Sequence, residues 1–468
     1  MSTLLRKYRD DKDNNGVWCI LPHEDVENAD IDTLVFIPND IDRSTVSRIS
    51  VAERNTGSPT SESLKNLGIA EDFSNLSLEE RVKRFFPNNL THFIDLIEIA
   101  QGSVKKNQNP VEEKSNFILI YPIIVQRVGG EYYQQLTQSS LASNQPVGFE
   151  RIDKQVLAAI DVIREQLFKG GIDTYSDFNM IGQSAAGTFS QRFTLLHLDR
   201  VHLSYSNGAK DGIPLPIESI ENLYTHESTV LPYPLGIADI CEYYKNDNGR
   251  YVFDRKEYLE PYDFMKAYKE RLKEVPFLVT FGENEDMENP HHIHNDKSRK
   301  IELLDHPTNS DWAIVKAEED PVIDGCIVVG NDATAYQVKK NISPEEVTSI
   351  DELFQVSTYD KTFIRSITPI KDARIMRECI GETQADRINM TRKIWNENGM
   401  QMTIKGIEGA GHGMNADTVA VASKFVSDVA HSKELTNLSQ HEAEQRSILS
   451  DLQKNNSKDV LKDVYIGI

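Results

Sequence analysis

A chain of 468 residues, 39% hydrophobic and 26% charged, has the balance of an ordinary globular protein and can bury a sizeable core. Its formal net charge of −22, with the basic residues scattered, repels a polyanion and argues against nucleic-acid binding. No apolar run approaches the roughly 18 residues a membrane-spanning helix needs, and residues 1–16 lack the apolar stretch of a signal peptide, so a cytoplasmic protein with no membrane partner is expected.

Residues 1–75 are polar and turn-rich and read as an N-terminal extension, with strands expected at 33–37 (TLVFI) and 45–51. Ser77 with Glu80 three residues later is the capping-box spacing of a helix reaching Phe86. A second helix is expected over 90–100, apolar at Phe93, Ile94, Leu96 and Ile97. Residues 117–125 (FILIYPIIV) form a continuous apolar run of strand length, as a strand covered on both faces requires. Residues 151–168 carry a helical stripe of Ile152, Val156, Ile160, Ile163 and Leu167, closed by Gly170 and Gly171. A short strand at 178–181, a helix at 188–198 and a strand at 201–205 follow. Further strands are expected at 276–281 and 400–407, and a closing helix at 418–429 with Asn415 or Asp417 near its start.

Strands alternating with helices imply a mostly parallel sheet with helices on both faces. Two stretches break the rhythm: 210–262, rich in Pro, Tyr and Gly, reads as a lid-like segment, and 288–358 as an insertion before the last strand. The main domain is thus expected over 76–430, followed by a polar tail at 431–468 with a helix at 439–452; self-association through that tail stays open. No internal repeat is present. Cys19, Cys241, Cys326 and Cys379 lie far apart without a CxxC pair, which suits neither a zinc site nor a disulfide framework.

The chemistry concentrates in Ile181-Gly182-Gln183-Ser184-Ala185-Ala186-Gly187, between an apolar strand and a helix, where a nucleophile elbow belongs. The turn is sharp, so its flanking residues must be small, although Ala186 stands where the G-x-S-x-G form has its second glycine. A helix N-cap is the structural alternative for Ser184. A serine hydroxyl needs a base, and His412, set among Gly409, Gly411 and Gly413 after the last strand, is the candidate. His197, His202 and His226 are read as structural or surface groups. The acid that orients the imidazole should follow the strand at 276–281. There Glu285 and Asp286 rank nearly level, with Glu288 behind. Of the oxyanion donors, the first is the N–H of Ala185; the second is expected around Ile124, after the 117–125 strand, with Gly129 and Gly130 shortly beyond.

Several stretches resemble bacterial α/β-hydrolases of a poorly characterised group related to esterases and polyhydroxyalkanoate-depolymerase-like enzymes. They are FERIDKQVLAAIDVIREQL (149–167), FNMIGQSAAGTFSQRFTLLHLDRVHLSYSNGAKDGIPLP (178–216), GIADICEYY (236–244), PFLVTFGENEDMENP (276–290) and MTRKIWNENGMQMTIKGIEGAGH (390–412). The resemblance implies an α/β-hydrolase fold, with Ser184 as nucleophile and His412 as base.

The function expected from these residues is hydrolysis of a small ester or acyl substrate through an acyl-enzyme, with no cofactor; a peptidase or amidase could use the same triad. A non-catalytic binding protein on a hydrolase scaffold is the alternative. A metal-dependent reading through His291, His292 and His294 beside Glu288 and Asp296 ranks below both, since no helix holds them at ligand spacing.

Overall fold

The computed structural model describes residues 6–11, 16–21, 32–39, 41–54, 90–102, 117–123, 136–138, 141, 151–209, 213–283, 301–308, 312–317, 325–329, 334–339, 342–349, 352–355, 372, 375–381, 384–411 and 413–429. Four strands come first: β1 (Arg6–Asp11), β2 (Gly16–Leu21), β3 (Asp32–Pro38) and β4 (Ser47–Arg54). Helix α1 (Leu90–Gln101), strand β5 (Phe117–Ile123) and helix α2 (Ile152–Lys169) follow. Then come β6 (Thr174–Gln183), α3 (Ala185–Leu196) and β7 (Val201–Asn207). Short hairpins β8 (Ser219–Glu221)/β9 (Ser228–Val230) and β10 (Tyr251–Phe253)/β11 (Lys256–Tyr258) precede α4 (Pro261–Glu274) and β12 (Phe277–Gly282).

The insertion contributes β13 (Ile301–Asp305), β14 (Trp312–Ala317), β15 (Ile327–Val329), β16 (Thr334–Val338) and β17 (Leu353–Gln355). Helix α5 (Gln384–Glu397), β18 (Met402–Ile407) and a last helix α6 over 416–429 end the described chain.

The main sheet has nine strands in the order β1-β2-β3-β5-β4-β6-β7-β12-β18. From β5 to β18 every neighbouring pair is parallel, whereas β1, β2 and β3 join antiparallel at the other edge. The apolar runs explain the burial: in β3, Val35 packs into one core while Leu34 and Phe36 enter the other, all fully buried. Strand β5 divides the same way, Ile118 and Ile120 on one face, Phe117, Leu119 and Tyr121 opposite. Successive side chains of a strand point to opposite faces, so a strand covered on both sides must be apolar throughout. Helices α2 and α3 cover the first face through Val156, Ile160, Ile163, Phe189 and Phe193. Leu96 and Ile99 of α1, with Val419, Ala422 and Val426 of α6, cover the second.

Several expectations change. Residues 6–54 build four strands of the central sheet, so they belong to it rather than extending from it. The strand expected at 178–181 runs from Thr174, and the helix expected at 188 starts at Ala185, because the Ser184 carbonyl already accepts the N–H of Gly187 (2.9 Å) and Thr188 (3.2 Å). Asn415, not Asp417, caps α6: its Oδ1 accepts the backbone N–H of Thr418 at 2.8 Å. The expected helices at 77–86 and 439–452 lie outside the described residues.

The segment read as a lid anchors away from Ser184. Tyr244 donates its hydroxyl to the carbonyl of Leu195 (2.9 Å) and accepts the N–H of Leu198 (3.0 Å), and Tyr268 donates to the same Leu195 carbonyl at 3.0 Å. Both tyrosines pack with Phe253 and Phe264 against the C-terminal end of α3. That end lies about 18 Å along the helix from the serine, at 1.5 Å per residue. Tyr244, one of the tyrosines that made the segment look like a lid, is therefore aromatic packing with a polar tip, as is Tyr268 of α4 beside it. Within the insertion, β13 to β17 form an antiparallel meander with a small core of Trp312, Ile327, Val347 and Leu353. It is a subdomain with its own interior rather than a long loop.

One buried ionic group ties α2 to the end of α3. Asp153 is fully buried, held by Arg151 Nε and Nη2 (2.8 and 2.6 Å) and by His197 Nε2 at 2.9 Å. Burial alone would raise its pKa, but the bonds and charges of Arg151 and His197 prevail and hold it well below its ordinary value of 3.8. A depressed carboxylate contributes stability that is fully present above its unfolded pKa and drains as pH falls towards the folded one. Asp153→Ala, which leaves Arg151 and His197 facing an empty site, is expected to lose about 3–5 kcal/mol at neutral pH. The loss, followed by urea unfolding, should shrink as the pH drops below about 4.

Candidate active site

Ser184 sits between β6 and α3 with φ 60° and ψ −125°, a backbone conformation that an L-residue adopts only under constraint. The constraint can be named. A methyl group at Gly182 would collide with the carbonyl oxygen and carbon of Ala186, so the strand end and the first helical turn touch backbone to backbone. The Ser184 N–H is pinned from the side by the carbonyl of Asn207, at 2.7 Å, on neighbouring β7. A simple N-cap serine has extended backbone angles and bonds its side chain to the helix; Ser184 has neither the angles nor a side-chain cap bond. Its side chain is half-buried at the C-terminal edge of the sheet.

The alanine at the second glycine position is accommodated in full burial: Ala186 has no exposed surface. The close approach has moved one residue on, since a Cβ at Gly187 would lie 2.8 Å from Cβ of Ala209 and 3.1 Å from the carbonyl of Asn207. Ala185 opens α3, and its N–H and that of Ala186, which precede the Gly187 N–H already bonded to Ser184, have no acceptor one turn back in the helix. They are available, with the helix dipole, to a developing negative charge.

His412, Glu285, Asp286, Glu288 and Ile124 lie outside the described residues, as do His291, His292, His294 and Asp296. Gly411 and Gly413 on either side of His412 are described, as is the chain up to Glu283 ahead of the acids, and these converge. Strands β12 and β18 pair in parallel from Phe277↔Met402 to Gly282↔Ile407, so the acidic turn and the histidine loop leave the same edge side by side. The Glu283 N–H then donates to the Ile407 carbonyl at 3.1 Å. A methyl group at Gly282 would collide with the carbonyl oxygens of both Ala410 and Gly411. Beyond β18 the chain therefore turns back over β12. That direction matters, because β18 lies three strand spacings, about 14 Å, from β6.

The neighbour of β6 on its other side is β4, with Arg54 opposite Gln183; β5 lies beyond it. Chain leaving β4 at Arg54 thus emerges about 5 Å from β6, and chain leaving β5 at Ile123 about 10 Å away. Sequence order hid this, because 117–125 is the strand that immediately precedes α2 while 47–54 is separated from it by α1.

Beneath the edge runs a buried polar chain. Tyr205 and Thr280 have no exposed surface; their hydroxyls lie 3.0 Å apart, and Thr280 donates on to Asn207 Oδ1 at 2.9 Å. Burial pushes the Tyr205 phenol up, against the opposing pull of Thr280, so it stays a neutral donor. The three histidines read as structural or surface groups have carboxylate partners: His202 Nδ1 meets Asp177 at 3.2 Å, His226 Nδ1 meets Glu221 at 2.7 Å, and His197 meets Asp153. Among the described residues no cluster of His, Cys, Asp and Glu could hold a metal ion, and no helix is long and apolar enough to cross a membrane.

No protein family and no curated protein sequence matches the chain. Solved structures similar to it include poly(aspartic acid) hydrolase-1 from Sphingomonas sp. KT-1, at 11% identity over 85% of this chain and 93% of that one, with a TM-score of 0.37. An S-formylglutathione hydrolase from Agrobacterium tumefaciens aligns at 8% identity over 91% and 99% of the two chains, TM-score 0.37. The poly(3-hydroxybutyrate) depolymerase LpqC from Bordetella parapertussis aligns at 10% identity over 89% and 93%, TM-score 0.37. With scores this low, the assignment of an α/β-hydrolase fold rests on this chain's own strand order and on the strand–turn–helix that carries Ser184.

The glycine at the elbow gives a direct check. Gly182→Ala is expected to destabilise the protein by about 1–3 kcal/mol or more, since the colliding atoms are backbone and cannot swing aside. Gly413→Ala, which meets nothing within 4 Å among the described residues, should leave the melting temperature unchanged. Thermal unfolding of the two variants side by side measures the difference.

Proposed function

We propose that the chain is a serine hydrolase acting on carboxylic esters of small molecules, with Ser184 as nucleophile, His412 as general base and Glu285 or Asp286 as the orienting acid. The observation that carries the reading is the backbone of Ser184, φ 60° and ψ −125°, enforced by the contact of Gly182 with Ala186. Strain of this kind costs about 1–3 kcal/mol. It lifts one side chain clear of both strand and helix at a helix N-terminus, which is what an attacking oxygen needs and what a capping serine does not.

In this mechanism the Ser184 oxygen attacks the ester carbonyl as His412 takes its proton, and the acid keeps the imidazole oriented and stabilises its charged form. The negative charge on the carbonyl oxygen is held by the N–H of Ala185 at the start of α3. The second donor comes from the chain that follows Arg54 on β4, in preference to Ile124, because β4 is the strand paired with β6. His412 then passes its proton to the leaving alcohol, and water activated by the same imidazole releases the acid and restores the serine. No step requires a metal or an organic cofactor.

The pairing of β12 with β18 supports the acid and base assignments, since it brings Glu283, from which the chain leads to the acids, beside Ile407, from which it leads to His412. A fluorophosphonate probe is expected to label the wild-type protein at Ser184, with the adduct located by peptide mass spectrometry. Ser184→Ala should abolish labelling and lower kcat for p-nitrophenyl acetate by on the order of 10⁵-fold, without loss of folded protein. Wild type that resists the probe and lacks esterase activity would sink the proposal.

A further inference from the structure

Asn207 is the last residue of β7 and only 2% exposed, yet it is polar, and its two carbonyl oxygens serve different neighbours. The backbone oxygen accepts the N–H of Ser184 at 2.7 Å, the side-chain oxygen the hydroxyl of Thr280 at 2.9 Å. Thr280 stands directly opposite Asn207 across β7 and β12, and its own backbone oxygen accepts the N–H of Gly208 at 2.8 Å. On the other side Asn207 stands opposite Gln183, the residue before the serine. Tyr205 closes the chain by bonding its hydroxyl to that of Thr280 at 3.0 Å. Asn207 thus joins the strand of the nucleophile to the strand that enters the acidic turn.

A purely structural reason for this asparagine is weak. Its Nδ2 is buried and has no hydrogen-bond partner among the described residues. A buried amide donor left unmade costs stability, whereas an apolar residue of the same shape would not. If β7 and β12 needed only packing here, an apolar pair at 207 and 280 would serve better. What asparagine supplies and leucine does not is an acceptor that fixes the last residue of β7 against Thr280, and through its backbone oxygen fixes the strained Ser184.

We infer that Asn207, seated by Thr280 and Tyr205, is a positioning residue that holds the Ser184 backbone at the attack geometry in register with the acid-bearing strand. This rests on the hydrolase reading of Ser184 and adds a residue outside the triad and the oxyanion hole. A nucleophile displaced by about 1 Å can lose about 10²-fold in rate with little change in binding. The effect therefore belongs in kcat and in the rate of covalent labelling rather than in KM.

The test compares Asn207→Leu, Thr280→Val and Thr280→Ser with wild type, using p-nitrophenyl acetate turnover, the second-order rate of fluorophosphonate labelling, and melting temperature. Asn207→Leu and Thr280→Val are expected to lower kcat and the labelling rate by about 10- to 100-fold, with KM within about twofold. Thr280→Ser, which keeps the hydroxyl, should restore both rates, whereas Asn207→Leu, which leaves the buried Thr280 hydroxyl without its acceptor, should also lower the melting temperature. Should Asn207→Leu fail to fold, the contrast between the Val and Ser variants at Thr280 decides alone. Wild-type rates in folded Thr280→Val, or an equal loss in Thr280→Ser, would overturn the inference while leaving labelled Ser184 standing. A wild-type protein that is not labelled at all overturns the hydrolase reading, and this inference with it.

Discussion

Gly182 touches the carbonyl of Ala186 with nothing between them, and the geometry of the C-terminal edge follows from that contact. Because the strand end and the first helical turn meet backbone to backbone, the residue between them cannot continue either element. It is forced to φ 60°, and the helix begins at once, with Ser184 already accepting the N–H of Gly187 and Thr188. The strain is local, but its support is wide. Ser184 is held by Asn207 on β7, Asn207 by Thr280 on β12, and the continuation of β12 by Ile407 and the 410–411 turn after β18. Four consecutive parallel strands thus share one line of hydrogen bonds and close contacts, and a shift in any of them reaches the serine.

This arrangement also explains how the chain tolerates a long excursion between β12 and β18. The two strands pair over six positions, and the described chain between them folds into a five-stranded meander and α5. The entropy of closing a loop grows only slowly with its length, and a meander with its own core brings its own burial. The edge therefore keeps its register whatever is inserted, provided that Phe277 still meets Met402 and Gly282 still meets Ile407. Insertion at this point changes what surrounds the edge without moving the edge itself.

The parts of the fold legible in the sequence were those where one residue type has one reason to be present. Leu34, Val35 and Phe36 can be side by side only in a strand covered on both faces, and Ile152 to Leu167 at helical spacing can only be a buried stripe. The small residues around Ser184 were equally readable, because sterics at a sharp turn act between immediate neighbours. What stayed hidden depended on partners far away in sequence. Nothing in SRISVAER says that it will lie between FILIYPI and the nucleophile strand, and that crossover decides which chain faces Ser184. Tyr244, within the lid-like 210–262, reads as a loop residue until the end of α3 supplies the carbonyl it bonds and α4 the ring beside it.

The same distinction separates Asn207 from the triad candidates. A nucleophile elbow has a local pattern, and a histidine among glycines stands out. An asparagine in YSNG looks like an ordinary turn residue, because Asn before Gly suits a turn. Only the sheet reveals that it ends a buried strand, bonded through one oxygen to the serine and through the other to Thr280. A site assembled on a sheet edge holds its reacting groups at the ends of several strands, and their relative placement is a property of the ladder between them. The polar residues that pin that ladder, at positions where an apolar residue would pack at lower cost, belong to the site as much as the groups that touch the substrate.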